Sequence, residues 1–157
     1  EEMYDIAGLR IMCQFVDDID IVVDILRQRQ DFKVIEERDY IRNTKESGYR
    51  SYHVVVEYPV QLVTGEKIIL AEIQIRTLSM NFWATIEHSL NYKYQGVFPE
   101  EMKERLQRAA EAAYLLDEEM SSIREEIQEA QHYFSHGRGL LENEYYKQIK
   151  NETPENQ

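Results

Sequence analysis

The spacing of apolar residues predicts alternating strands and helices in the first half of the chain. Residues 7–15, AGLRIMCQF, form a mostly apolar run that predicts a buried strand. Residues 17–30 follow with an acidic first turn and apolar residues at helical spacing, which predicts a helix. The apolar positions of that helix are Ile19, Val22, Val23 and Leu26. Residues 32–41 predict a second strand, and the basic loop 42–50 with Gly48 ends it.

Two further strands and a helix are predicted in the middle of the chain. Residues 51–58 and 66–77 have strand character, and the turn signal Thr64-Gly65 between them is typical of an antiparallel hairpin, so the sheet is mixed. Residues 78–94 place apolar side chains at a spacing of four, which predicts a helical stripe packed against that sheet. This α2 stripe consists of Leu78, Phe82, Ile86 and Leu90.

The last third of the chain predicts one long helix. Pro99 is well placed to begin it, and apolar residues then alternate by four and three in a heptad seam. The seam consists of Met102, Leu106, Ala109, Ala113, Leu116, Met120, Ile123, Ile127 and Ala130. A helix over these residues would be on the order of 45 Å long, so we expect part of the seam to contact another helix or subunit. Beyond Gly139 the tail predicts one more short helix. We divide the chain into a core, 1–98, and a helical extension for oligomerisation, 99–157.

Composition narrows the class of protein. With 30 acidic and 18 basic residues the formal charge is −12, which argues against binding duplex DNA or an anionic membrane by bulk electrostatics. A phosphate ligand must therefore meet a local basic cluster. Cys13 is the single cysteine, so no disulfide is expected. No apolar run reaches the length of a membrane span, and we interpret the chain as cytoplasmic.

Two clusters of polar residues are candidates for chemistry. In the strand 66–77 apolar residues alternate with Glu72, Gln74 and Arg76, which therefore share one face, although a solvated sheet face is the commoner explanation of such a stripe. The second cluster, at 38–53, combines cations, a glycine and aromatic rings, as a nucleotide requires. It contains Arg38, Arg42, Lys45, Ser47, Gly48, Tyr49, Arg50, Tyr52 and His53. Taken alone, it is explained equally well as an exposed charged loop.

Three short segments together resemble the synthetase domain of RelA/SpoT-type enzymes. They are DIAGLR at 5–10, KESGYRSYH at 45–53 and EIQIRT at 72–77, and NFWATIEH follows the last one. Their order, their spacing and the helical C-terminal extension are similar to small alarmone synthetases of the RelQ type, from about Tyr4 to Gln131. The resemblance implies a nucleotidyltransferase-like α/β (α+β) fold, a mixed sheet flanked by helices with a long C-terminal helix.

The resemblance also implies an activity, that of a GTP diphosphokinase. Such an enzyme transfers pyrophosphate from ATP to the 3′-hydroxyl of GDP or GTP, giving AMP and ppGpp or pppGpp in the stringent response. Asp5 and Glu72 match the family's acidic pair that holds Mg²⁺, and Glu72 is also the candidate general base. Arg10 matches the arginine that packs against adenine and contacts the ATP phosphates. A carboxylate near the weakly acidic hydroxyl, with metal on the phosphates, suits this chemistry.

Further residues match the acceptor side of the family's site. Tyr49 matches the tyrosine that stacks on guanine, and Lys45 and Arg38 match cations. The polar residues that match the same GDP- or GTP-binding cleft are Ser47, His53, Gln74 and Asn81. Glu87 lies within reach of the pocket, whereas His88 is assigned no role, because charged groups on a helix surface are more often solvated.

The resemblance extends to partners and to the N-terminal end. It implies a homotetramer formed through the C-terminal helices, and single-stranded RNA and an alarmone effector as further ligands. The family places helices and a basic segment ahead of Asp5 that supply much of the ATP site. Either this chain is an N-terminally short core that binds guanine nucleotide better than ATP, or that segment lies outside the sequence. In an unbroken strand Asp5 and Arg10 would face opposite sides, so either Asp5 precedes the strand or Gly8 introduces a bulge.

Two other functions compete with the synthetase. A non-catalytic sensor of guanine nucleotide or RNA would use the same loop, with the heptad seam carrying its oligomer. An unrelated nucleotidyltransferase that releases pyrophosphate would share the carboxylates but not the joint Tyr49 and Glu72 motifs. No adjacent His-Asp pair occurs in the sequence, whereas the companion hydrolase domain of bifunctional relatives relies on one. Synthesis without hydrolysis is therefore expected.

Overall fold

The fold is built on a four-stranded mixed sheet. The computed structural model describes residues 7–94 and 98–152, with side chains as far as residue 134. The strands are β1 (Ala7–Cys13), β2 (Lys33–Asp39), β3 (Tyr52–Leu62) and β4 (Gly65–Thr77), in the order β1-β4-β3-β2. β1 pairs with β4 in parallel and the other pairs are antiparallel. The predicted mixed sheet is confirmed.

Three helices accompany the sheet: α1 (Asp17–Gln28), α2 (Leu78–Lys93) and α3 (Glu100–Glu152). The α3 helix is longer than predicted, because the expected separate tail helix is continuous with it. Glycines inside a helix each cost only about 1 kcal/mol relative to alanine, and Gly137 and Gly139 do not end this one. The first proline after Pro99 is Pro154, beyond the last helical residue.

One face of the sheet forms the main core with α1. Buried positions of β3 and β4 face the buried side of α1, which contributes Ile19, Val23 and Leu26 as the helical spacing predicts. The sheet residues of this core are Tyr52, Val54, Val56, Ala71, Ile73 and Ile75, and they pair with one another across β3 and β4. Because side chains alternate along a strand, the intervening polar residues lie on the other face.

The prediction that the α2 stripe packs against the sheet is wrong. All four side chains of the stripe are exposed, with Phe82 at 69%, and the buried residues of α2 are Met80, Trp83 and Ala84. Thr77 caps the start of the helix, because its hydroxyl oxygen accepts from the Met80 amide at 3.1 Å. The Trp83 indole donates to the Leu106 carbonyl at 2.8 Å. These two hydrogen bonds orient α2 so that its Trp83 side packs against α3 and the basic loop.

The basic loop is packed against α3. Gly48 has a φ of +88°, and a Cβ at this position would meet the Ala110 Cβ at 2.6 Å, so both conformation and space require glycine. The Arg50 guanidinium lies over the Tyr114 ring, 4.2 Å from its centroid, and donates to Glu111 at 2.8 Å. These contacts join the basic loop to α3.

The chain divides into two compact units, Glu1–Ser121 and Ser122–Gln157. Seven of the nine seam residues of α3 are exposed: Met102, Ala109, Leu116 and Met120 lie in the first unit, and Ile123, Ile127 and Ala130 lie in the second. In the part of the chain that is described, no helix combines the length and apolarity needed to cross a membrane.

Candidate active site

Four polar side chains form a row across the sheet. The register pairs Arg10 of β1 with Gln74 of β4, Gln74 with His53 of β3, and His53 with Arg38 of β2. All four positions alternate with core positions, so the row lies on the face opposite α1. Residues far apart in sequence, predicted separately as ATP-side and acceptor-side residues, are thus brought onto one surface.

Glu72 lies two residues before Gln74 on the same face of β4, next to this row, and three neighbouring side chains hold it. Its Oε1 atom accepts from Gln74 Nε2 at 2.8 Å and lies 3.4 Å from His53 Nδ1, while its Oε2 atom lies 4.0 Å from Arg38 Nη1. Burial by itself raises the pKa of this carboxyl, but the hydrogen bonds and nearby positive charge outweigh it, and the net shift is downward. Glu72 is therefore ionised near neutral pH.

His53 is buried between Glu72 and Tyr49. Its Nε2 atom lies 2.8 Å from the Tyr49 hydroxyl. Burial lowers the pKa of His53; Glu72 opposes this shift, and the positive charges of Arg76 and Lys45 add to it. Near neutral pH the imidazole is therefore uncharged, and one of its two nitrogens is an acceptor.

Aromatic rings and a lysine cover this end of the row. The Lys45 ammonium lies 4.4 Å from the centroid of the Tyr40 ring and 5.1 Å from that of Tyr49. The two tyrosine rings meet edge to face, and both meet the His53 ring in the same way. The lysine therefore lies over ring faces, where a cation is attracted to the electron density of the rings.

Arg76 was left without a role by the sequence analysis, although it shares the face of Glu72 and Gln74. Only 5% of it is exposed. Its Nη2 atom donates to Tyr49 Oη at 2.6 Å and to Gln74 Oε1 at 2.9 Å, and its Nε atom donates to Ser51 Oγ at 3.3 Å. The signal in the sequence was a cation on the same strand face as Glu72 and Gln74, directly after the apolar Ile75.

Asn81 connects α2 to this network. Its Oδ1 atom accepts from Arg10 Nη1 at 3.0 Å and lies 3.5 Å from Arg76 Nη1. The first turn of α2 is held by Asp117 of α3, whose carboxylate accepts from the hydroxyls of Thr77 and Ser79. Asn81 is thus placed by the start of its helix, and it bridges the predicted ATP and acceptor sides.

The remaining predicted residues are less closely involved. Ser47 and Glu87 line a cavity of about 370 Å³ between the basic loop, α2 and the start of α3. Ser47 Oγ also accepts from the Tyr49 amide at 3.4 Å. His88 stacks with Tyr92 along α2. Asp5 lies outside the described residues. The pairing of β1 with β4 runs from Ala7 to Cys13 without a shift, so Gly8 introduces no bulge.

The profile described as a region found in RelA/SpoT proteins matches residues 1–97, more than half of the chain. The chain belongs to the RelA/SpoT family. Over 135 residues it is 71% identical to the GTP pyrophosphokinase YjbM of Bacillus subtilis (strain 168), covering 86% of this chain and 64% of that protein. It is 44% identical to YwaC of the same organism over 127 residues, covering 81% of this chain and 60% of that protein. This RelA/SpoT chain thus spans less than two thirds of the length of either relative.

Solved structures of the RelA/SpoT family share the fold. The structure of small alarmone synthetase 1 from Bacillus subtilis bound to its product pppGpp matches with a TM-score of 0.76 at 70% identity, covering 82% of this chain and 65% of that one. A GTP pyrophosphokinase family protein from Streptococcus pneumoniae matches with a TM-score of 0.78 at 68% identity, covering 83% and 68%.

The donor set of this RelA/SpoT chain suits Mg²⁺ in part. Among the residues with described side chains, no cluster of three or more histidine, cysteine or acidic groups could hold a metal by itself. Glu72 nevertheless presents an ionised, partly exposed carboxylate, and Mg²⁺ is commonly bound by one or two carboxylates together with substrate phosphates. Glu72 therefore fits the role of a single protein ligand to a metal that arrives with a nucleotide.

Proposed function

We propose that this chain is the catalytic core of a (p)ppGpp synthetase, a GTP diphosphokinase that transfers pyrophosphate from ATP to the 3′-hydroxyl of GDP or GTP. The observation that carries the proposal is the ionised Glu72 carboxylate, which lies 4.0 Å from Arg38 and is linked through His53 to the Tyr49 hydroxyl. The names of the similar proteins support it, since two relatives are GTP pyrophosphokinases and one similar structure contains pppGpp.

In this reaction Glu72 acts as the general base. Its Oε2 atom accepts the proton of the 3′-hydroxyl, the hydroxyl oxygen forms a bond to the β-phosphorus of ATP, and the bond from that phosphorus to the α,β-bridging oxygen breaks to release AMP. Mg²⁺, held by Glu72 and Asp5, would neutralise charge on the transferring phosphates when bound. Catalysis otherwise comes from positioning the two nucleotides.

The other residues divide between the two nucleotides. Arg10 binds ATP, and Tyr49 stacks on the guanine while Lys45 and Arg38 neutralise acceptor phosphates. The polar groups that complete the GDP or GTP site are Ser47, His53, Gln74 and Asn81. A chain with a formal charge of −12 needs such a local set of cations to bind two polyphosphates.

We further propose an assembly and a setting for the enzyme. Residues 1–98 carry the chemistry, and the helical extension 99–157 forms a homotetramer through the heptad seam, whose exposed leucine, methionine and isoleucine side chains support an interface. A cytoplasmic location follows from ATP and GDP or GTP as substrates. Single-stranded RNA and an alarmone effector stay predictions from the family resemblance.

The first experiment mixes the protein with Mg²⁺, ATP and GDP or GTP and separates the nucleotides by ion-exchange chromatography. The expected products are AMP and a guanosine tetra- or pentaphosphate.

Glu72→Gln should abolish turnover because the base is lost, and Lys45→Ala should weaken acceptor use. Glu66→Gln is the matched control, because Glu66 lies at the exposed end of the same strand, where its carboxylate accepts from Gln61. Normal turnover by Glu72→Gln would contradict the proposal, and bound guanine nucleotide without product would favour the sensor.

A further inference from the structure

Arg76 is a buried cation that pairs with no carboxylate among the residues whose side chains are described. Its hydrogen-bond partners are neutral oxygens from Tyr49, Gln74, Ser51 and Asn81. Removing an ion from water is costly unless an opposite charge or good hydrogen bonds compensate it. The geometry of its neighbours identifies the compensating charge.

Two hydrogen-bonded branches lead from one nitrogen of Arg76 to one oxygen of Glu72. The first branch runs from Nη2 through Gln74, whose Oε1 accepts at 2.9 Å and whose Nε2 donates to Glu72 Oε1 at 2.8 Å. The second runs from the same Nη2 through the Tyr49 hydroxyl, at 2.6 Å, and His53 Nε2, at 2.8 Å, to His53 Nδ1, which lies 3.4 Å from the same Oε1. Nη2 carries two hydrogens, one for each branch.

The groups at the two ends fix the direction of every bond between them. A guanidinium only donates and an ionised carboxylate only accepts. The Gln74 amide must therefore turn its oxygen to Arg76 and its nitrogen to Glu72. At a pH well above the ordinary histidine pKa of about 6.5, His53 is neutral. In the longer branch it must then carry its proton on Nδ1 to face Glu72, so its Nε2 accepts from Tyr49, and the Tyr49 oxygen accepts from Arg76.

We propose that Arg76 is a positioning residue that orients both branches toward Glu72 Oε1 and holds His53 as the Nδ1–H tautomer. Glu72 Oε2, which lies 4.0 Å from Arg38 Nη1, is then left to face the substrate hydroxyl. The inference deepens the proposed function and rests on it for the role of Oε2. It also explains the burial of Arg76, since its charge is balanced by Glu72 through neutral groups that align between them.

The tautomer of His53 tests this arrangement without substrate. The chain has four histidines, so nitrogen-15 labelling of histidine and comparison with His53→Gln assign the His53 signals. In the wild-type protein at about pH 8, above the ordinary histidine pKa of about 6.5, we expect a protonated Nδ1 and an unprotonated Nε2. A predominant Nε2–H tautomer would overturn the proposal, and this measurement stands whether or not any Arg76 variant folds.

Substitution of Arg76 tests its part in the arrangement. In Arg76→Met the Tyr49 oxygen is free to accept from His53 Nε2, so we expect a mixture of the two tautomers and a kcat about 10²-fold lower, with acceptor KM changing much less. Arg76→Lys keeps a charged donor and should retain the Nδ1–H tautomer and part of the kcat. A folded Arg76→Met protein with the wild-type tautomer and wild-type kcat would show that the arginine orients nothing.

Arg50→Met supplies the matched control. Arg50 is also an arginine of low exposure that lies over a tyrosine ring, but it bonds to Glu111 and lies outside both branches. Its removal should leave the His53 signals unchanged, and a shift of the tautomer in Arg50→Met would mean that the tautomer responds to general loosening. Absence of synthetase activity in the wild-type protein would contradict the proposed function and leave the tautomer result intact.

Discussion

On the core side of the sheet, polar side chains form hydrogen bonds as short as those around Glu72. Tyr52 Oη donates to Glu37 Oε2 at 2.5 Å, and the same carboxylate accepts from Arg27 Nη2 at 2.6 Å. Burial, followed by the hydrogen bond to Glu37, raises the pKa of Tyr52 to about 12. The folded protein therefore favours the neutral phenol, because a phenolate here would lie beside a carboxylate.

This shift predicts a loss of stability at alkaline pH. A raised pKa in the folded state stabilises the fold below the unfolded-state pKa of about 10, and that stabilisation is lost as pH rises through about 12. Two pKa units correspond to roughly 2–3 kcal/mol. Urea unfolding between pH 9 and pH 12 should show this extra loss for the wild type and not for Tyr52→Phe. Tyr58→Phe, at an exposed position, is the control for removing a tyrosine hydroxyl. Parallel curves for wild type and Tyr52→Phe would contradict the assignment.

At the scale of elements, α2 has two apolar faces, of which one is buried and the other is exposed. Trp83 is buried and bonded to the Leu106 carbonyl, whereas Phe82, its neighbour in sequence, is exposed. Trp83→Ala should lower the free energy of unfolding by about 3–5 kcal/mol, as for large aromatic residues in a core. Phe82→Ala should change it by roughly 0.5 kcal/mol or less, as at exposed sites. Urea unfolding of both variants is the measurement, and comparable losses would mean that the Phe82 side is covered in solution.

The contact between the basic loop and α3 depends on one glycine. Gly48→Ala introduces a Cβ into the space of Ala110 and should cost about 1–3 kcal/mol beyond its backbone strain. Gly65→Ala measures backbone strain alone, since Gly65 also has a positive φ but open space around it. Adding Ala110→Gly to Gly48→Ala should recover part of the packing loss in thermal unfolding. Equal losses for the Gly48 and Gly65 variants would indicate that the loop moves freely away from α3.

At the scale of the whole molecule, the heptad seam provides the test of assembly. Leu116 is 56% exposed and Ile123 40% exposed in the single chain. If the seam is the oligomer interface, Leu116→Lys with Ile123→Lys should produce smaller species in sedimentation, because a charge cannot be buried there unpaired. Glu125→Lys, at an exposed position on the opposite side of the same helix, changes charge away from the seam and should keep the native mass. An unchanged mass for the seam variant would exclude the seam as the interface.

The sequence by itself determined most of the elements and the family. Each strand and helix is a local repeat of backbone geometry, so the periods of two and of three to four residues predicted the four strands and α1. The alternation along β4 likewise placed Glu72 and Gln74 on one face. The motifs of the first 97 residues were sufficient to identify the family, whereas the role of Asp5 stays a prediction.

Only the tertiary structure decided which of these faces is covered and which residues meet. Strand order aligned Arg10, Gln74, His53 and Arg38, and the anchors of α2 buried Trp83 instead of the apolar stripe that its spacing favoured. The role of Arg76 likewise became visible only with its partners in place. A local sequence pattern predicts that an element has an apolar or a polar face. Which other element packs on that face depends on competition between surfaces that are distant in sequence.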